Sequence, residues 1–152
     1  KGVELAVRQN PDMQLQAIFT RRDPKSLQIQ TPGLQVLPME QLDAMENLRF
    51  VLGGALDEAA AKALLERLNL ADVGGKKVRD FSGGMKRRLA LARALLTPGD
   101  ALALDEPFTG LDEENRAACL ACIREAAAHK PVLLVTHDGE DAARLEAAVI
   151  RL

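Results

Sequence analysis

The sequence contains no tryptophan and no tyrosine, and its four phenylalanines are the only aromatic residues. Without an aromatic platform on which bases can stack, binding to single-stranded nucleic acid is not expected. Charge of one sign is also lacking: 20 Lys and Arg stand against 22 Asp and Glu, for a formal charge of -2. That balance excludes a general nucleic-acid or anionic-lipid binder, so any ionic partner must be met locally. No apolar run approaches the roughly 20 residues that span a bilayer, and Lys1-Gly2-Val3-Glu4 does not open a signal peptide. A cytoplasmic location is expected. The two cysteines, Cys119 and Cys122, form a C-x-x-C inside a helical pattern. With no second Cys or His pair at ligand spacing, they read as two small buried hydrophobes rather than a zinc or redox site. What remains is 152 residues, 47% of them hydrophobic, enough to bury one ordinary core.

The chain divides by texture. Residues 2–10 pattern as a short helix stopped at Asn10-Pro11, and 15–20 read as a strand. Arg21 and Arg22 follow, Asp23-Pro24 turns the chain, and 34–37 form a second apolar run that suits a parallel strand. From about Asp43 to Leu70 helix periodicity dominates, with Asp57 placed to cap a helix whose apolar positions Ala60, Ala61, Leu64, Leu65 and Leu68 fall on one broad face. Beyond this, strand and helix alternate. The runs 101–104 and 132–135 lack polar alternation, as expected of parallel strands covered on both faces. One helix capped by Asp112 lies between them, and 147–150 has the composition of a last strand.

Three segments carry chemistry. Ser82 is placed to cap an amphipathic helix, and Gly83 and Gly84 allow its backbone to approach a ligand closely; a helix N-terminus of this kind suits an anion. The plain structural alternative is a capped helix after a glycine turn. A strand then ends in adjacent carboxylates, Asp105 and Glu106, one suited to Mg²⁺ and the other to orienting or deprotonating a water, or else both are merely solvated. A third element, 132–135, ends in Thr136-His137-Asp138, where a histidine can donate to a phosphate oxygen or simply close a strand.

In this order and spacing, with Phe108-Thr109-Gly110-Leu111-Asp112 between the strands, residues 43–152 closely resemble the ATP-binding-cassette (ABC) ATPase family. Ser82-Gly83-Gly84 is similar to its signature motif, 102–106 to its Walker B strand, Gly110-Leu111-Asp112 to its D-loop, and His137 to its switch histidine. Glu46-Asn47-Leu48 resembles the start of the family's helical subdomain. The resemblance implies ATP sandwiched between two subunits, with Ser82, Gly83 and Gly84 acting in trans on the partner's nucleotide. It also implies Asp105 serving Mg²⁺ through water, Glu106 as general base, His137 sensing the γ-phosphate, and a second ATPase subunit and transmembrane permease subunits as partners. Two positions depart from the family pattern: Phe81 stands for Leu, and Met85 for Gln, where backbone N–H groups can still face phosphate.

A phosphate loop, G-x-x-x-x-G-K-[ST], occurs nowhere in the sequence; the nearest window, Gly75-Lys76, has Leu70 and Lys77 at the flanking positions. The first 42 residues instead resemble a fragment of the NADP-binding domain of meso-diaminopimelate dehydrogenase. The likeness rests on Gly2-Val3-Glu4-Leu5, Asn10-Pro11-Asp12-Met13 and Ile18-Phe19-Thr20-Arg21-Arg22. It would set Arg21 and Arg22 against a 2′-phosphate, but without G-x-G-x-x-G tight NADP binding is not expected. The expected architecture is α/β: a Rossmann-like fragment at 1–42, a helical subdomain at 43–80, and the signature helix with a partial P-loop-NTPase-like parallel sheet at 81–152. The expected role is a truncated ABC transporter ATPase, inactive alone and held peripherally at the membrane by a permease. Two alternatives stand beside it: a non-hydrolysing subunit that donates its signature in trans, and a non-functional chimera whose sheet exposes an edge unless the first strands cover it.

Overall fold

The computed structural model describes residues 17–20, 35–71 and 75–150. The helix expected at 2–10, together with Arg21 and Arg22, lies outside the described residues. Strands β1 (Ala17–Thr20) and β2 (Gln35–Pro38) pair in parallel, Ala17 opposite Gln35 and Thr20 opposite Pro38, as the apolar runs suggest. A proline ends β2 without cost because it stands at the strand's last residue.

Three helices form the middle of the chain, and local chemistry starts each one. Helix α1 (Ala44–Leu52) opens on a capping box: Asp43 accepts from the Glu46 N–H at 2.8 Å, and Glu46 accepts from the Asp43 N–H at 2.8 Å. Helix α2 (Glu58–Arg67) is capped by Asp57, which accepts from Ala59 and Ala60. Its C-terminal end is closed from a distance, where the buried Arg88 donates to the carbonyl oxygens of Leu68 at 2.6 Å and Asn69 at 3.0 Å. Arg88 belongs to α3 (Gly83–Leu96), which packs against α1, α2 and the later helix α4 (Glu113–Ala127). Leu48, Leu65, Leu68, Leu89, Ala92, Phe108 and Ile123 share one continuous core, and Cys119 and Cys122 are buried in it as free thiols. Burial pushes the Cys119 thiol up to about 12, so it behaves as a small hydrophobe.

Strands β3 (Leu102–Asp105) and β4 (Val132–Val135) pair in parallel across the α4 crossover, Leu102 opposite Val132 and Asp105 opposite Val135. Helix α5 (Gly139–Arg144) follows. The architecture is α/β, as expected, with three corrections. The β3 and β4 runs are not covered on both faces: Leu102 and Leu104 are buried, whereas Leu133 and Val135 are 63% and 54% exposed. With two strands and helices packed on one side, the pleat alternates despite an unbroken apolar sequence. Residues 147–150 form no strand and leave Val149 and Ile150 exposed, since β-composition without a partner edge is not enough. Lastly, β1–β2 and β3–β4 are separate sheets among the described residues, so the first pair does not hydrogen-bond to the edge of β3. No helix among the described residues is long and apolar enough to cross a membrane.

Phe108 is 2% exposed at the centre of this core. Phe108→Ala should lower the unfolding free energy by about 3–5 kcal/mol in urea titrations. Leu133→Ser, on the open sheet face, should change it by less than about 0.5 kcal/mol.

Candidate functional site

The turn before α3 is built as its residues require. Phe81 is buried as an anchor, and Ser82 caps the helix by accepting from the Met85 N–H at 3.2 Å. The Met85 amide is therefore engaged by the cap rather than open to a ligand, and its side chain packs on the core. Gly83 and Gly84, the first two helical residues, have no partner for their N–H groups within the helix. Gly84 is also needed sterically: a β-carbon there would lie 3.3 Å from the Gly110 carbonyl oxygen and 3.3 Å from Leu111 Cδ2. Gly110 itself turns with φ of 74°, a conformation that glycine adopts freely. Asp112 then caps α4 by accepting from the Asn115 N–H at 2.8 Å, a bond that holds its carboxyl below the usual range. Ser82, Gly83, Gly84, Gly110, Leu111 and Asp112 thus line one cleft of about 450 Å³, with Arg87, Arg88, Thr109 and Asn115 completing its wall. Two of the wall residues are cationic, which suits an anion beside free helix N–H groups.

The carboxylates at the end of β3 separate. Asp105 follows the exposed face of the strand, while Glu106 adopts a left-handed backbone with φ of 46°. Such a conformation costs about 1–3 kcal/mol in a non-glycine residue and persists only where its surroundings over-determine it. Here they do. The Glu106 N–H donates to the Val135 carbonyl at 2.9 Å, and its carbonyl accepts from Arg87 Nη1 at 2.7 Å. Oε2 accepts from Thr109 Oγ1 at 3.1 Å, and Oε1 meets both the His137 N–H at 3.0 Å and His137 Nδ1 at 2.8 Å. Two residues just beyond the ends of different strands, 31 positions apart, are therefore joined.

The pair is electrostatically coupled. The His137 hydrogen bond, followed by that of Thr109, holds the Glu106 carboxyl below its ordinary range. The Glu106 hydrogen bond and charge raise the His137 imidazole above its ordinary value. The sign of the linkage follows from each direction. Glu106 contributes stability above its unfolded value, and this is lost as pH falls through its lowered folded value. His137 contributes below its unfolded value, and this is lost as pH rises through its raised folded value. The ion pair is complete between those two limits.

Asp105 presents a single exposed carboxylate, and no group of three or more His, Cys, Asp or Glu side chains among the described residues could hold a metal ion unaided. One strand-end carboxylate fits Mg²⁺ that arrives bound to phosphates, which needs only one or two protein carboxylates. Thr109 and Arg87 were not singled out by sequence reasoning. Thr109 lies within the recognised Phe108–Asp112 run, and its hydroxyl, three residues after Glu106, was the available signal. Nothing local distinguishes Arg87 from its basic neighbours Lys86 and Arg88.

Two outcomes are expected. In an NMR pH titration the His137 imidazole should titrate above about 6.5, the ordinary value, and Glu106→Gln should bring it down towards that value. Gly83→Ala, where a β-carbon meets nothing within 4 Å, should raise stability by about 0.4–1 kcal/mol in thermal or urea unfolding. Gly84→Ala should not, because the D-loop-like turn must yield.

The ABC transporter family model matches residues 6–109, a span that includes most of the segment likened to an NADP-binding domain. The chain is 44% identical over 112 residues to the daunorubicin resistance ATP-binding protein DrrA3 of Streptomyces coeruleorubidus, covering 70% of this chain and 35% of that protein. It is 44% identical over 110 residues to the thiamine import ATP-binding protein ThiQ of Cereibacter sphaeroides, covering 68% of this chain and 48% of the relative. The chain therefore spans a third to a half of the length of these relatives. Among solved structures, the dimeric bacterial ABC transporter cassette MJ0796 superposes with a TM-score of 0.59 at 26% identity, over 69% of this chain and 50% of that one. With more than half of its length matched by the family model and its strands and helices arranged as in a solved cassette, the chain belongs to the ABC transporter family.

Proposed function

We propose that these residues supply the signature and hydrolytic groups of an ATP-binding subunit of an ABC transporter. In this reading 43–80 is the helical subdomain and 81–152 the signature helix with the C-terminal half of the ATPase core. The observation that carries the reading is the meeting of Glu106 and His137, with Arg87 of the signature helix bonded to the same Glu106. A carboxylate, an imidazole and a helix start whose first N–H groups suit an anion would then act from one connected frame.

Each group then has a defined task. Glu106 is ionised at neutral pH because its carboxyl is held low, so it can orient a water and accept its proton. His137 spends Nδ1 on Glu106, which leaves Nε2 to donate to the γ-phosphate, and its raised pKa favours the form in which both nitrogens carry protons. Asp105 would hold Mg²⁺ through water; bound with the nucleotide, the ion neutralises charge on the β- and γ-phosphates. Ser82, Gly83 and Gly84 would grip the nucleotide of a second ATPase subunit, and Gly110–Asp112 would shape the same cleft. Permease subunits would complete the transporter and hold this subunit at the cytoplasmic face of the membrane.

A second, narrower reading is that the chain serves chiefly in trans, with Ser82, Gly83 and Gly84 gripping the nucleotide of its partner. Turnover of ATP by the purified chain alone should be indistinguishable from background. Mixed with a complete cassette that carries a P-loop, it should support hydrolysis, and Ser82→Arg should reduce that activity at least about tenfold, equivalent to about 1.4 kcal/mol of transition-state stabilisation. Glu106→Gln should change the mixed activity little. Turnover by the chain alone that Glu106→Gln abolishes would overturn the trans-only reading, and a mixture insensitive to the chain would leave only the non-functional fragment.

A further inference from the structure

We propose that Arg116 is a positioning residue that locks the His137 turn to the first turns of α4 and thereby presents His137 to Glu106. The inference rests on the reading of Glu106 and His137 as an acting pair, and it assigns the means by which that pair is held. The His137 side chain is 79% exposed, so core packing does not orient it. Orientation must come from the backbone at 136–138, and both neighbours of His137 are tied down there. The Asp138 N–H donates to Thr136 Oγ1 at 3.1 Å, and Asp138 Oδ1 accepts from the Glu140 N–H at 2.9 Å. Asp138 Oδ2 accepts from Arg116 Nη1 at 2.8 Å.

Arg116 makes a second bond with the same nitrogen, to Asp141 Oδ1 at 3.0 Å. The Asp141 side chain is 2% exposed, and Thr136 Oγ1 donates to its other oxygen at 3.4 Å. A carboxylate this buried is costly unless it is paired, and a second carboxylate, Asp138, stands beside it. Taking away the guanidinium would leave two like charges in one turn, which would open rather than stay in register. Because His137 directs both its N–H and Nδ1 at a single oxygen of Glu106, a small shift of the turn loses both contacts. Arg116 also lies one helical turn after Asp112, to whose carbonyl its N–H donates at 2.9 Å. The cleft wall and the histidine turn therefore share one rigid element.

The charged groups that face His137 are Glu106, Asp138 and Asp141, and loss of the Arg116 charge alone would shift the titration through the field. A double-mutant cycle removes that ambiguity. The His137 titration would be followed by NMR in the full chain and in Glu106→Gln, Arg116→Gln and the double variant. In the Arg116→Gln background, Glu106→Gln should move the His137 pKa by less than about a third of its effect in the parent chain, because the contact is already lost. Arg116→Lys, which keeps charge and a donor, should restore most of the effect. Should Arg116→Gln fail to fold, Asp138→Asn tests the same link while leaving Asp141 paired, and it should reduce the effect of Glu106→Gln as well. Equal effects of Glu106→Gln in all backgrounds would overturn the positioning role while leaving the pair intact. No effect of Glu106→Gln in the parent chain would overturn the pair itself and the inference with it.

Discussion

A β-carbon at residue 84 would stand 3.3 Å from the Gly110 carbonyl oxygen, and this tight fit at the start of α3 shapes how the helix meets the 108–112 turn. Gly84 lets the helix lie close against the 108–112 turn, where a side chain would force its neighbours to shift by a few tenths of an ångström, and the helix brings Arg87 within 2.7 Å of the Glu106 carbonyl. The same helix closes α2 through Arg88 and fills the core with Leu89 and Ala92. This close approach joins the helical part of the chain to the end of β3, where Arg87, together with Val135, Thr109 and His137, holds the left-handed conformation of Glu106.

Electrostatics divides the molecule in two. The outer ion pairs, Arg49 with Glu58 and Arg67 with Glu125, join side chains that are about half exposed or more, and water screens them until each contributes little. Arg116 and Asp138 are only partly exposed and meet the buried Asp141, whose charge is expensive to leave unmatched. The chain places its one cation-bridged acidic cluster among the described residues beside the turn that carries His137, so the costly interaction sits where geometry matters. The Glu106–His137 contact lies between these regimes, since the imidazole is open to solvent while the carboxylate is partly shielded.

Much of this was legible in the order of residues. Ser82, Asp57 and Asp112 each cap the helix that they were expected to cap, because a short polar side chain before an amphipathic run satisfies free N–H groups by local geometry alone. The parallel pairing of two apolar runs on each side of α4, and the burial of Cys119 and Cys122, followed from composition and periodicity. The family likeness read over 43–152 overlaps the ABC transporter match over 43–109; that match begins earlier, at residue 6, and ends before Gly110. The open face of β3–β4 was not legible, because an unbroken apolar run is compatible with one covered face or two, and only the number of neighbouring layers distinguishes them.

The sequence by itself determined the parallel strand pairs, the helices around 44–67, 83–96 and 113–127, and where three of those helices begin. These depend on interactions within about four positions, which the local order of side chains already contains. Only the tertiary structure decided that Asp105 and Glu106 part company, that Thr109 and Arg87 serve Glu106, and that Arg116 reaches across 22 and 25 positions to Asp138 and Asp141. Among several arginines of equal local promise, the one that matters is chosen by where packing brings its guanidinium, and no short window of sequence holds that distance.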